Sequence, residues 1–192
     1  MPQINNLTRL VLVIHQREIR KPSNTGALAV RCLLNSELHL RGAVGAPADY
    51  GGLAQADATN LYLFPGEDAI PLTPAFCATL VGPVRLIVPD GNWGQAARVW
   101  GKLPEHVPIT RVTLPPGPPT QYRLRHESPL RPEGLATLEA IARALETLEG
   151  PHVSEPMLHV FRMRVERSLW AKGKLPAHAV FQGIPDATVN AH

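Results

Sequence analysis

Val84-Arg85-Leu86-Ile87-Val88-Pro89-Asp90-Gly91-Asn92-Trp93 decides the fold. A short apolar run ends in Pro-Asp-Gly, and Gly94-Gln95-Ala96-Ala97-Arg98-Val99-Trp100 then reads as a helix. A carboxylate and a large aromatic therefore stand where a buried strand hands over to a helix. In open α/β sheets that edge, outside the carboxyl ends of the strands, is where ligands bind. The same residues also read as a plain helix start, with Asn92 as N-cap and Trp93 as core filler.

Outward from this corner the chain alternates strands and helices. Residues 9–15 read as a first strand, with Leu10-Val11-Leu12-Val13-Ile14 uninterrupted, as suits a parallel sheet covered on both faces. A helix starts near Asn24-Thr25-Gly26 and carries Leu28, Val30, Leu33 and Leu34. Short strands follow at residues 38–40 and 60–64, and another at 109–114. Pro115-Pro116-Gly117-Pro118-Pro119 must be an extended, stiff loop, because proline lacks the N–H and fixes φ. Leu135, Leu138, Ile141, Ala142, Leu145 and Leu148 then recur at helical spacing, closed by Gly150-Pro151. A last helix is expected over residues 155–170, with Ser154 as its cap. The expected fold class is α/β, a mostly parallel sheet flanked by helices.

Composition narrows the class of protein. A chain of 192 residues fits one domain, taken as 1–192, with a sizeable core. The mean hydropathy of -0.06 is that of an ordinary globular protein, and no apolar run approaches a membrane span. The first residues lack the basic and apolar regions of a secretory signal. Cys32 and Cys77 form no CxxC or Cys/His cluster, so neither a metal site nor a disulfide framework is expected. A cytoplasmic, reduced, metal-free protein is the resulting expectation, with no membrane and no obligate protein partner. Net charge is +3 with a pI near 9.1, and arginine greatly outnumbers lysine. The planar guanidinium fork matches phosphate geometry, which leans toward a polyanionic partner.

Polar clusters fall at the ends of the expected elements. The first runs from His15 through Glu18, Lys21 and Asn24-Thr25-Gly26, directly after the first strand. Its Asn-Thr-Gly both caps a helix and offers bare backbone to a ligand; a solvated loop ending in a cap is the plain alternative. Leu63-Phe64-Pro65 closes another strand. Tyr122-Arg123-Leu124-Arg125 follows the proline loop, and alternation points Arg123 and Arg125 the same way on an extended segment. Two guanidiniums beside an aromatic suit a nucleic-acid contact, or are simply surface arginines. Thr137 and Glu139 also read as the N-cap and first turn of the next helix.

Taken in order, these clusters resemble the DTW-domain family. The motifs are His15-x-x-Glu18-x-x-Lys21-Pro22-x-Asn24-Thr25-Gly26, Asp90-Gly91-x-Trp93-x-Gln95-Ala96, Tyr122-Arg123-Leu124-Arg125 and Leu135-x-Thr137-Leu138-Glu139-Ala140. Phe161-x-x-x-Val165-Glu166-Arg167-x-Leu169-Trp170 resembles the family's C-terminal helix. Departures are Asn92 for the threonine of Asp-x-Thr-Trp, Ala136 for a serine, Thr120 where serine is common, and no N-terminal cysteine cluster.

The resemblance implies a SPOUT-like fold with a C-terminal trefoil knot around S-adenosylmethionine. It also implies a tRNA-uridine aminocarboxypropyltransferase that moves the 3-amino-3-carboxypropyl group of S-adenosylmethionine to uridine N3 and releases 5′-methylthioadenosine. Asp90, His15 and Glu18 are the catalytic candidates. Asp90 takes the N3 proton or holds the cofactor's ammonium, and both roles stay open. Thr25, Leu63, Pro65, Asp90, Trp93, Leu114, Thr137 and Glu139 are the cofactor-binding candidates. Lys21, Arg123 and Arg125 face tRNA. The rivals are a knotted RNA methyltransferase using the same cofactor and an RNA-binding module that has lost catalysis.

Overall fold

The computed structural model describes residues 1–42, 50–124 and 134–185. Six strands form one sheet: β1 (Arg9–His15), β2 (Ser36–Arg41), β3 (Thr59–Leu63), β4 (Ile70–Pro71), β5 (Val84–Asp90) and β6 (Ile109–Thr113). Every pairing is parallel, in the order β2-β1-β5-β3-β6-β4. Among the described residues six α-helices surround it: α1 (Gln16–Ile19), α2 (Gly26–Cys32), α3 (Pro74–Cys77), α4 (Trp93–Trp100), α5 (Thr137–Glu149) and α6 (Pro151–Ala171).

The uninterrupted apolar strands are buried on both faces, as a parallel sheet requires. Leu10, Leu12, Ile14, Leu86 and Val88 face a core shared with α2, α5 and α6. Val11, Val13, Tyr62 and Ile87 face the opposite layer, where Val99 and Trp100 of α4 pack. From β1 the chain first moves outward to β2, then returns to build on the other side with β3. β5 inserts between β1 and β3. Its carboxyl end therefore opens where the winding direction reverses, the place where α/β sheets bind ligands.

Pro89 sits in this central strand without breaking it. β3 pairs with β5 only as far as Tyr62↔Ile87, so no ladder bond to β3 is asked of the proline. β1 continues alongside to Ile14↔Asp90.

Three expectations need correction. The last helix begins at Pro151, not near residue 155: Gly150, at φ 110°, makes the turn, and proline at the first helical position loses no needed N–H. Ser154 is thus no cap but a buried helix residue whose hydroxyl donates to the Glu146 carboxylate at 3.1 Å. Likewise α2 ends at Cys32, and Leu34 lies beyond it, 58% exposed. Sequence periodicity also missed β4 and α3, which are too short to show a period. Pro71 is tolerated because β4 is an edge strand, and Thr73 caps α3 ahead of Pro74.

Candidate active site

Asp90 ends β5 on the α2–α5 side of the sheet, in step with Leu86 and Val88. It is 5% exposed. An isolated carboxylate there would be costly, and the fold surrounds it with donors. Asn24 Nδ2 donates to Oδ2 at 2.6 Å, Thr137 Oγ1 donates to Oδ1 at 2.6 Å, and the Gly91 N–H reaches Oδ1 at 3.0 Å. Two sequence-distant segments thus converge on one group, beside the adjacent Gly91 N–H.

Each donor is placed by a helix start. Asn24 Oδ1 accepts the Ala27 N–H at 2.8 Å, so the side chain caps α2 with one end and holds Asp90 with the other. Thr137 opens α5 immediately after its N-cap, Ala136. Gly26 completes the fit: a Cβ there would lie 2.6 Å from Asp90 Oδ2. Thr25 is buried, and its Oγ1 accepts the Leu138 N–H at 3.3 Å, joining α2 to α5.

The Asp-Gly-Asn-Trp turn is at once a helix start and a site wall. Asn92 accepts the Gln95 N–H at 2.9 Å while Gln95 accepts the Asn92 N–H at 3.0 Å, a reciprocal capping box. Trp93 is not core filler: it is 39% exposed, with its ring 5.5 Å from that of Phe64. Leu63 is buried at the end of β3, Pro65 is exposed just beyond it, and Leu114 is half-buried after β6. These apolar groups line the same carboxyl edge of the sheet. Arg111 fixes the loop carrying Pro65, pairing with Asp68 at 2.6 Å and stacking on Trp100.

Glu139 is 2% exposed, and its oxygens accept the Thr120 hydroxyl and the N–H groups of Gln121 and Ala136. It pins the proline loop to the start of α5. Ala136 itself supplies no side-chain cap; the expected N-cap, Thr137, is turned toward Asp90 instead.

Residues 1–169 match the DTW domain. The chain belongs to the DTW domain family. A search of curated proteins found no match. Among solved structures the chain is similar to the SAM-dependent rRNA:acp-transferase Tsr3 from Vulcanisaeta distributa. The identity is 20%, covering 86% of this chain and 79% of that one, with a TM-score of 0.49.

Within this DTW protein, two of the three catalytic candidates stand apart from Asp90. Ile14 is the register partner of Asp90, so His15 points to the other face of the sheet. There its Nδ1 accepts the Arg17 N–H at 3.1 Å as the cap of α1. Burial, then the charges of Arg41 and Arg17, push its pKa below the ordinary value. Glu18 pairs with Lys21 at 2.7 Å. No hydrogen bond among the described residues joins either to Asp90. Arg123 is exposed on the proline loop, 4.0 Å from the Glu166 carboxylate; Arg125 lies outside the described residues. Among the described residues no group of three or more His, Cys, Asp or Glu is placed to hold a metal ion, and no helix is long and apolar enough to cross a membrane.

Sequence reasoning read Asn24 only as part of a helix cap and did not foresee its bond to Asp90. It also missed Arg41. That side chain is 8% exposed, with Nε and Nη2 unpaired among the described residues, and a Cβ on Gly91 would lie 3.5 Å from Nη2. One arginine at a strand end gives no pattern by which to find it.

Proposed function

We propose that this DTW protein is a tRNA-uridine aminocarboxypropyltransferase, joining the 3-amino-3-carboxypropyl group of S-adenosylmethionine to uridine N3 and leaving 5′-methylthioadenosine. The observation that carries this reading is the convergence of Asn24, Gly91 and Thr137 on the buried Asp90 carboxylate, beside an aromatic wall at the sheet's switch point. Membership of the DTW family supports it. The same reading includes a single domain, a SPOUT-like knot in the C-terminal part, tRNA as partner and a cytoplasmic setting.

The residues at the corner suit an adenosyl sulfonium carrying an amino acid. Leu63, Pro65, Trp93 and Leu114 offer apolar and aromatic surface for the adenosine, and Thr25 with its backbone receives the carboxylate. Glu139 serves by fixing the loop at Thr120 and Gln121. When bound, S-adenosylmethionine supplies an electrophilic carbon already activated by positive sulfur, so the protein chiefly positions groups and moves one proton.

Asp90 is suited to that proton. A carboxylate offers about four lone-pair sites, and its three protein donors leave one for the uridine imide N–H. Its fixed orientation makes it either the base at N3 or the anchor of the ammonium group. His15, on the far face, keeps the strand end in shape and takes no part at Asp90. Lys21 and Arg123 meet RNA phosphates. Choosing the longer carbon arm over the methyl is a matter of which group the apolar wall covers, and on this reading the wall of Leu63, Pro65 and Trp93 covers the methyl.

Incubation of the purified protein with tRNA and S-adenosylmethionine, followed by nucleoside mass spectrometry, tests the reading. A uridine enlarged by one aminocarboxypropyl group is expected. Unmodified tRNA that nevertheless binds the protein would favour the inactive module.

A further inference from the structure

A second surface lies next to Asn24, on the side away from Asp90. Lys21 and Pro22 of the α1–α2 loop, Ile19 of α1, Leu28 and Arg31 of α2, and Arg164 of α6 enclose a groove of about 280 Å³. Ligand sites commonly hold roughly 300 to 1,000 Å³, so the groove is of a size for one nucleotide rather than a large ligand. No carboxylate lines it. Ile19, Leu28 and Pro22 give it an apolar floor, and three cations stand at its rim.

The cations are disposed toward the opening. The Arg31 guanidinium is exposed and has no protein partner among the described residues. Arg164 donates to the Pro22 carbonyl across the mouth of the groove, which fixes its fork beside Lys21. Asn24 lines the inner end and donates to Asp90 at 2.6 Å. A molecule in the groove is therefore separated from Asp90 by a single side chain.

Past Tyr122 the same helix edges another cavity of about 390 Å³, lined by Gln121, Arg123, Arg162 and Glu166. Tyr122 forms the ridge between the two, its hydroxyl donating to the Ser23 carbonyl at 2.8 Å. Arg162 and Arg123 are partly neutralised there by Glu166, at 2.8 and 4.0 Å. In the first groove Lys21 is paired with Glu18 at 2.7 Å, so its uncompensated charge is that of Arg31 and Arg164, neither of which meets a carboxylate among the described residues.

Planar guanidiniums over an apolar floor match a nucleotide: forks for the phosphate, aliphatic surface for ribose and base. We propose that this groove seats the RNA nucleotide next to the target uridine, with its phosphate held by Arg31 and Arg164. The proposal rests on the RNA-modifying reading above and adds to it where the strand enters.

Salt-dependent binding of a 5′-fluorescein-labelled oligouridylate, followed by anisotropy, tests it on the full chain. Each phosphate contact on a single strand contributes about 0.7 to the slope of log K against log salt. The double variant R31Q/R164Q is expected to lose about 0.7 from that slope, one phosphate contact, with roughly a tenfold loss of affinity at low salt and unchanged S-adenosylmethionine binding by calorimetry. R31K/R164K should keep most of the slope, which separates lost charge from lost folding. The control R98Q/K102Q, on exposed residues of α4 and of the turn that follows it, across the sheet, should change nothing. An unchanged slope in R31Q/R164Q, an equal loss in the control, or displacement of the RNA by polyglutamate as readily as by unlabelled oligouridylate would overturn the proposal. If the wild type modifies tRNA while the R31Q/R164Q slope is unchanged, the groove assignment alone falls. If the wild type neither binds nor modifies RNA, the functional reading falls with it.

Discussion

At the scale of single residues, the corner is built by giving one buried carboxylate three donors. Asp90→Asn replaces an acceptor by a donor facing Asn24 or Thr137 and removes the proton acceptor. The transfer rate is expected to drop about 10²- to 10⁴-fold in a single-turnover assay at saturating S-adenosylmethionine. A variant within a factor of two of wild type would remove Asp90 from catalysis. Gly26→Ala tests the same corner from the other side. Its new methyl would lie 2.6 Å from Asp90 Oδ2 and 3.2 Å from Leu12 Cδ2, and overpacking of that kind costs about 1–3 kcal/mol. Chemical denaturation should show that loss, while activity falls further than stability, since the displaced atom is the carboxylate itself. That Asp90 and Trp93 stand together at a strand-to-helix corner was legible in the sequence, because the apolar run before them and the helical pattern after them fix that corner. That Asn24 and Thr137 would reach Asp90 was not, since 66 and 47 residues separate the pairs. That His15 takes the face of the sheet away from Asp90 was not legible for a related reason: nearness in sequence to a motif says nothing of which face of a strand a residue takes.

At the scale of elements, helix starts do the positioning, and short elements escape sequence reading. The strands β1 and β5 were plain from their apolar runs, and α5 from its spacing. β4 and α3, of two and four residues, are held by neighbours rather than by any local pattern. The start of α6 was placed four residues late because Ser154 looks like a cap, while the Gly150-Pro151 turn that precedes it serves both helices. α5 depends on Glu139, whose oxygens satisfy the proline loop and the Ala136 N–H together. Glu139→Ala would leave these donors short of partners in a buried place, at a cost of about 1–3 kcal/mol each. A lowered denaturation midpoint, together with a raised KM for S-adenosylmethionine from the loosened loop, is expected. A stability loss with an unchanged KM would separate the loop from cofactor binding.

Across the whole molecule, the six parallel strands bring the amino ends of α2, α4 and α5 to one edge, around Asp90. Glu166 accepts from Arg162 one turn back in α6 and from the Phe181 N–H, and the second bond ties the helix to the segment that follows it. Burial opposes its ionisation, but these hydrogen bonds and the charges of Arg162 and Arg123 prevail, holding its carboxyl below the ordinary 4.5. A depressed acid stabilises the fold fully above its unfolded value and ceases to do so as pH falls through the folded one. Glu166→Gln should therefore lower the denaturation midpoint at neutral pH and flatten its decline below about pH 4.5; parallel curves would show that the pair contributes nothing. The central claim is tested most directly by identifying the small product released when the protein, tRNA and S-adenosylmethionine are combined. Liquid chromatography should find 5′-methylthioadenosine, in amounts equal to the uridine modified. S-adenosylhomocysteine in its place would mean that the methyl, not the amino-acid arm, faces the nucleophile, and would contradict the account.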